Sequence, residues 1–154
     1  MNLKDLETLT IAGLAPQIAS RKLSPVELTR LFLDRIEALN PPIYPYVTVT
    51  SPDALAQAKR AEKEIANGHH RGPLHGIPLS IKDNIATRGV RTTAGSKVLE
   101  NWIPDYDATV VSRLKAAGAV ILGKTNLHEW ALGGTTFNPF YGTTRTPWGL
   151  YRIA

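Results

Sequence analysis

Two apolar segments separated by a helical pattern limit the folds open to this chain. Residues 77–82 predict a short strand that ends at Lys82, and residues 119–122 predict a second strand. Between them, Asp107 is placed to cap a helix that Gly118 would end. A strand, a helix and a buried strand in this order favour an α/β fold, with a mixed, largely parallel sheet covered by helices.

The first half of the chain is predicted to be mainly helical. Ser24 opens a capping box with proline at the first helical position, which predicts a helix over 24–39 that residues 40–42 stop. A strand is expected at 46–50, and a second helix over 52–67. Residues 133–154 hold four glycines and two prolines without periodicity, so we expect a long loop with no closing element.

Composition excludes several classes of protein. The 154 residues carry 18 Lys+Arg and 13 Asp+Glu, a net charge of +5, but the basic residues are scattered in short pairs, which argues against direct nucleic-acid binding. The absence of cysteine excludes disulfides and thiol catalysis and fits a reducing, cytoplasmic location. The acidic residues within 1–7 do not suit a secretory signal, and the longest apolar run, 116–122, is too short to cross a membrane.

Two motifs match in spelling but not in context. Residues 118–125 satisfy the phosphate-loop pattern, yet a helix precedes the first glycine and the apolar strand lies between the glycines, so we expect their amides to join a sheet. Residues 128–132 begin like a zinc-protease helix, but Leu132 occupies the position of the second histidine. Neither a nucleotide, a metal nor any other cofactor is therefore expected.

Lys82 is the residue whose position in the sequence indicates a catalytic role. Burial at the end of an apolar strand would lower the pKa of a lysine and let its neutral amine accept a proton from a serine. The alternative is a surface lysine that reaches water or pairs with Asp83. Ser80 lies on the same strand face, roughly 6.6 Å away along the backbone, which is a poor distance for a nucleophile and its base.

From residue 72 onward the sequence resembles the amidase signature family. The matching segments are GPLHGIPLSIKDN at 72–84, TTAGS at 92–96, DATVV at 107–111, AGA at 117–119, GKTN at 123–126, then Asn138-Pro139, Tyr141-Gly142 and Pro147-Trp148. They cover 72–148 densely, and the order of so many matches is more specific than any one motif. The false phosphate loop is accounted for, since GKTN follows a strand in this family.

The resemblance implies an amidase that cleaves carboxamide C–N bonds with a serine nucleophile, a second serine in a cis peptide, and a lysine. Lys82 matches that lysine and would accept the proton that the bridging serine takes from the nucleophile. Ala131, Leu132 and Gly133 are expected near the pocket for a small-molecule amide substrate. A homodimer is possible under this interpretation.

The sequence also departs from the family. It ends at Ala154, where the glycine- and serine-rich signature that carries both serines would begin, and Thr146 replaces the usual asparagine. We therefore expect the N-terminal part of a single amidase-like domain, with a helical region at 1–71 and the first part of the catalytic core at 72–154, inactive alone. Two alternatives remain open: the A subunit of a tRNA-dependent amidotransferase, which would have partner subunits, and a non-catalytic remnant or binding module.

Overall fold

The structure is a computed structural model that describes residues 9–154; the opening stretch 1–7, used above to argue against a secretory signal, lies outside them. In chain order the elements are α1 (Ile11–Ala19), α2 (Pro25–Ile43), β1 (Tyr46–Val49), α3 (Ser51–Ala66), β2 (Pro78–Lys82), α4 (Thr109–Ala116), β3 (Val120–Thr125), β4 (Arg145–Thr146) and β5 (Gly149–Ile153), with short 3₁₀ turns at Lys97–Leu99 and Glu129–Ala131. No helix in this part of the chain has both the length and the apolar composition needed to cross a lipid bilayer.

The start of α2 is confirmed and its predicted end is wrong. The Ser24 hydroxyl accepts hydrogen bonds from the backbone N–H groups of Val26 and Glu27, as the capping box predicts. The helix then continues through Pro41 and Pro42 to Ile43. Proline has a φ that suits a helix, and although each of these two lacks the N–H of an i→i−4 bond, the Tyr44 N–H, 2.7 Å from the Asn40 carbonyl, closes the last turn.

One helix was not predicted. Thr10 caps α1 by accepting a hydrogen bond from the Gly13 N–H, and the helix buries Leu14 and Ile18. The other two helices agree with expectation: α3 spans Ser51–Ala66 and α4 spans Thr109–Ala116.

The three-stranded sheet has the order β1-β3-β2 and is mixed. Strands β1 and β3 pair antiparallel, with Tyr46 opposite Thr125. The amide of Val120 donates to Ile77 and the amide of Asp83 donates to Thr125, so residue numbers rise together along β2 and β3, as in a parallel pair. The mixed α/β class is therefore confirmed, and within the described residues this sheet holds one parallel and one antiparallel pair.

Strand β3 is longer than predicted because Gly123 lets β1 approach closely. A Cβ at this position would lie 2.2 Å from the Thr48 carbonyl oxygen, and the φ of Gly123 is +155°. Only glycine tolerates both conditions, so pairing continues past Leu122 as far as Thr125.

The expected loop at 133–154 contains a hairpin, which corrects the prediction of no closing element. Strands β4 and β5 pair antiparallel around Pro147 and Trp148, with Arg145 opposite Ile153. Pro147, one of the residues that suggested a loop, lies in the turn itself. The β-branched or aromatic residues on either side suffice for two short strands.

The described chain forms two compact units with different interiors. The first comprises 9–36, 50–79 and 113–122 and has an apolar core of Leu14, Ile18, Leu23, Leu28, Ile65 and Ile77. The second comprises 37–49, 80–112 and 123–154, and its buried polar or charged side chains are Asp83, Thr87, Thr92, Thr93, Ser96, Lys124, Asn126 and Asn138. The division of a single domain at residue 71 stays a prediction.

Candidate active site

Lys82 is the last residue of β2, and its side chain is exposed, so of the two positions considered from sequence it has that of a surface lysine and not the buried one. Side chains alternate along a strand, so the buried Ile81 and Asp83 share the opposite face. A turn follows at once, closed by the Ile85 N–H, 3.0 Å from the Lys82 carbonyl oxygen. The position of the backbone at Lys82 is thus fixed, while among residues 9–154 no hydrogen bond or ion pair involves its ammonium group.

Ser80 lies on the same face of β2 and is hydrogen-bonded to the hydroxyl of Tyr46 on β1. Burial raises the pKa of Tyr46 above its usual value, against the opposing effect of that hydrogen bond. Tyr46 therefore stays protonated at neutral pH and can share one proton with Ser80. This agrees with the sequence argument that Ser80 is not the partner of Lys82.

Asp83 holds the loop Thr92–Ser96 against the end of β2. Its Oδ2 accepts hydrogen bonds from the Thr93 N–H at 3.0 Å and the Thr93 hydroxyl at 2.5 Å, and its carbonyl accepts from the Ala94 N–H at 3.0 Å. Both Asp83 and Thr93 are completely buried. Burial raises the pKa of Asp83, opposed by the hydrogen bonds from Thr93 and by the charge of Lys124.

Lys124 is completely buried in β3, and its ammonium group makes two hydrogen bonds inside the protein. Its Nζ donates to the Ile85 carbonyl and to the Thr92 hydroxyl, both at 2.7 Å, and lies 3.8 Å from Asp83 Oδ1. Burial lowers the pKa of Lys124 to about 8 although Asp83 favours its charged form. The interpretation of 118–125 as a strand, not a phosphate loop, is confirmed, because this lysine faces the interior.

The pairing of charges differs from the one considered from sequence. The alternative in which Lys82 pairs with its neighbour Asp83 is wrong, since the partner of Asp83 is Lys124, 41 positions later. Sequence reasoning treated Lys124 only as part of a false motif. A signal was present: a lysine that directly follows the buried run 119–123 needs an acidic partner, although the pattern does not say which one.

A strained turn carries the residues expected near the pocket. Trp130 and Ala131 have φ values of 56° and 60°, two consecutive left-handed residues that are not glycine. Leu132 is 84% exposed, and Gly133 lies against the His128 ring, where a Cβ would be 2.4 Å from Nδ1. Such strain persists where the surroundings enforce it and is frequent at ligand sites. A substrate-binding role of Ala131, Leu132 and Gly133 stays a prediction.

This turn is tied to the loop held by Asp83. The Trp130 N–H donates to the Ala94 carbonyl at 2.8 Å, and Asn138 Nδ2 donates to the carbonyls of Gly95 and Leu127. Within the second unit, β2, the loop Thr92–Ser96 and the turn 127–133 therefore form one hydrogen-bonded assembly. Across the described residues, no group of three His, Cys, Asp or Glu side chains is placed to hold a metal ion.

Known proteins match most of this chain, including the residues of the assembly just described. The sequence profile of the Amidase family matches residues 27–154. The A subunit of the glutamyl-tRNA(Gln) amidotransferase of Acidothermus cellulolyticus is 48% identical over 98% of this chain and 30% of its own length. The corresponding protein of Dehalococcoides mccartyi is 50% identical over 97% of this chain and 30% of its own length.

The fold is also similar to that of a solved structure. The peptide amidase of Stenotrophomonas maltophilia superposes with a TM-score of 0.87 and 40% identity over 93% of this chain and 31% of its own. The chain belongs to the amidase family. It spans about 30% of the length of the curated relatives that it matches.

Proposed function

We propose that this chain contributes the catalytic lysine of an amidotransferase of the glutamyl-tRNA(Gln) type, an enzyme that releases ammonia from a carboxamide for transfer to an aminoacyl-tRNA. The observation that carries the proposal is the identity of 48–50% over nearly the whole chain to the A subunits of two such enzymes. It favours the amidotransferase interpretation over a free-standing hydrolase, because the sequence identity to the peptide amidase is lower, at 40%.

In this proposal Lys82 acts as the proton acceptor. Its neutral amine takes a proton from the bridging serine, which takes one from the nucleophilic serine as that oxygen attacks the carboxamide carbon. The C–N bond then breaks as the proton returns from Lys82 through the bridging serine to the leaving nitrogen, which departs as ammonia, and water clears the acyl-enzyme. Both serines would lie outside residues 1–154, as the family resemblance implies, so the chain alone is expected to turn over no amide faster than its Lys82→Ala variant.

The test joins residues 1–154 to the remaining part of the Dehalococcoides mccartyi protein, in place of the segment they match. This chimera, combined with the partner subunits of that relative, is expected to release ammonia from glutamine and to amidate glutamyl-tRNA(Gln). The Lys82→Ala variant should lose at least a thousandfold in kcat, in the range seen when a triad base is removed. Lys97→Ala is the matched control, because Lys97 is an exposed lysine whose ammonium group pairs with Glu100.

A hydrolase independent of tRNA is the second candidate, favoured by the likeness to the peptide amidase. The two candidates separate in the same experiment. A chimera that hydrolyses simple amides in a Lys82-dependent way but does not amidate the tRNA supports the hydrolase. Full activity in the Lys82→Ala chimera would contradict both, and with them the assignment of Lys82.

A further inference from the structure

The buried ion pair between Lys124 and Asp83 has no part in the proton transfers proposed above. A buried ion pair is an expensive feature, since replacing such a pair with apolar side chains is often neutral or stabilising. Its presence therefore calls for an explanation other than stability. The contacts of the pair supply one, because they converge on the turn that follows Lys82.

The turn 82–85 is held from two sides. On one side, the Lys124 ammonium group binds the Ile85 carbonyl at 2.7 Å, and the Ile85 N–H in turn binds the Lys82 carbonyl at 3.0 Å. On the other side, Asp83 is held by its own N–H, which donates to Thr125, and by the two hydrogen bonds from Thr93 to its carboxylate. Lys82 directly precedes Asp83 and its carbonyl accepts the hydrogen bond from Ile85, so both anchors act on the backbone at Lys82.

Each member of the pair also orients the other. Lys124 Nζ is 3.8 Å from Asp83 Oδ1, an oxygen that has no hydrogen bond, whereas Oδ2 is used by Thr93. A third contact of Lys124, to the Thr92 hydroxyl at 2.7 Å, ties it to the loop that Asp83 holds. An apolar residue at 124 could fill the space but could not hold the Ile85 carbonyl and leave Asp83 compensated.

We propose that Lys124 is a positioning residue for Lys82: through Ile85 and Asp83 it fixes the backbone from which the catalytic amine extends. This rests on the proposed function, in which Lys82 is the proton acceptor. Lys124 itself touches no substrate in this proposal, and its effect reaches the reacting atoms only through the turn. Positioning of a base to within a fraction of an ångström accounts for large rate factors in enzymes.

The first experiment measures the turn directly in the 154-residue chain by hydrogen exchange of the Ile85 amide. Lys124→Met, which keeps an unbranched side chain only one atom shorter but removes the charge and the donors, should raise exchange at Ile85 at least tenfold. Ser24→Ala is the matched control, a destabilising change whose lost hydrogen bonds go to α2 and Glu62. It should leave Ile85 exchange within threefold of the parent.

Asp83→Asn provides a second variant should Lys124→Met not fold. It keeps an oxygen for the Thr93 N–H but removes the charge that compensates Lys124, and it should raise Ile85 exchange in the same direction. Unchanged exchange at Ile85 in a folded Lys124→Met or Asp83→Asn chain would overturn the proposal.

The second experiment uses the chimera described above and separates kcat from KM. Lys124→Met should lower kcat at least tenfold with KM within threefold of the parent, since the substrate still binds but the base is misplaced. Ser24→Ala should leave both constants within twofold. If Lys82→Ala abolishes activity while a folded Lys124→Met keeps its kcat, positioning by Lys124 is wrong and the proposed function stands. If Lys82→Ala remains active, the proposed function fails, and positioning of a catalytic amine by Lys124 fails with it.

Discussion

Asn138 joins three segments of the second unit with four hydrogen bonds, so its removal should loosen the contacts between them. The side chain is only 2% exposed. Its Nδ2 donates to the Gly95 carbonyl at 2.8 Å and to the Leu127 carbonyl at 3.0 Å. Its Oδ1 accepts from the amides of Phe140 and Tyr141 at 2.9 and 3.0 Å. Asn138→Ala removes all four bonds at once.

The expected cost follows from how each lost partner can be compensated. The Phe140 and Tyr141 amides are partly buried, so water can replace the lost acceptor, and each costs well under 1 kcal/mol. The two carbonyls that bind Nδ2 are buried, and each buried group left without a donor costs about 1–3 kcal/mol. We therefore expect a loss of about 3 kcal/mol in the local free energy of opening, roughly a hundredfold.

Hydrogen exchange of the Trp130 amide measures this loss, because that amide donates to the Ala94 carbonyl, next to the lost anchor at Gly95. Exchange in the Asn138→Ala chain should be roughly a hundredfold faster than in the parent. Asn101→Ala, at an exposed asparagine, is the control and should change it by less than threefold. A change below threefold in Asn138→Ala as well would refute the reasoning that Asn138 holds this assembly together.

Three further predictions concern other parts of the chain. Gly118→Ala should lower the free energy of unfolding by about 2–4 kcal/mol in urea titrations, because its φ is +80° and its Cβ would lie 2.2 Å from His75 Cδ2; parent-like stability would contradict this. Burial lowers the pKa of His75 below 6.5, so stability should fall as pH drops from 7.5 to 5.5, the unfolded state taking up the proton first, and His75→Gln should flatten that dependence. Calorimetric titration with ATP and magnesium should show no saturable binding, since Lys124 is buried; micromolar binding would contradict the strand interpretation of 118–125.

Local chemistry in the sequence predicts the elements well where a few neighbouring residues decide the outcome. The Ser24 cap depends on residues 24–27 alone, and the structure confirms it. The predicted end of α2 was wrong because the fixed φ of Pro41 and Pro42 is compatible with a helix, and the Tyr44 N–H closes the last turn on the Asn40 carbonyl. The hairpin of β4 and β5 was missed because the glycines and prolines of 133–154 indicate a loop more strongly than two such short segments indicate strands.

The interior of the second unit could not be predicted in this way. The ion pair joins positions 83 and 124, and the Asn138 bonds join segments 43 and 11 residues away in sequence. Such partners are chosen by the tertiary fold, whereas sequence reasoning weighs only neighbours. It therefore considered Asp83 as the ion-pair partner of Lys82. Strand alternation prevents that pairing, because adjacent residues point to opposite faces.

The same alternation bears on how Lys82 can act as a base. A lysine is neutral near pH 7 only when it is desolvated or placed near other positive charges. In residues 9–154 the strand buries Ile81 and Asp83 and leaves Lys82 exposed beside Ser80. The described residues thus fix where its backbone lies and leave its side chain in solvent. Under the proposed function, desolvation of the Lys82 amine must come from chain outside these residues.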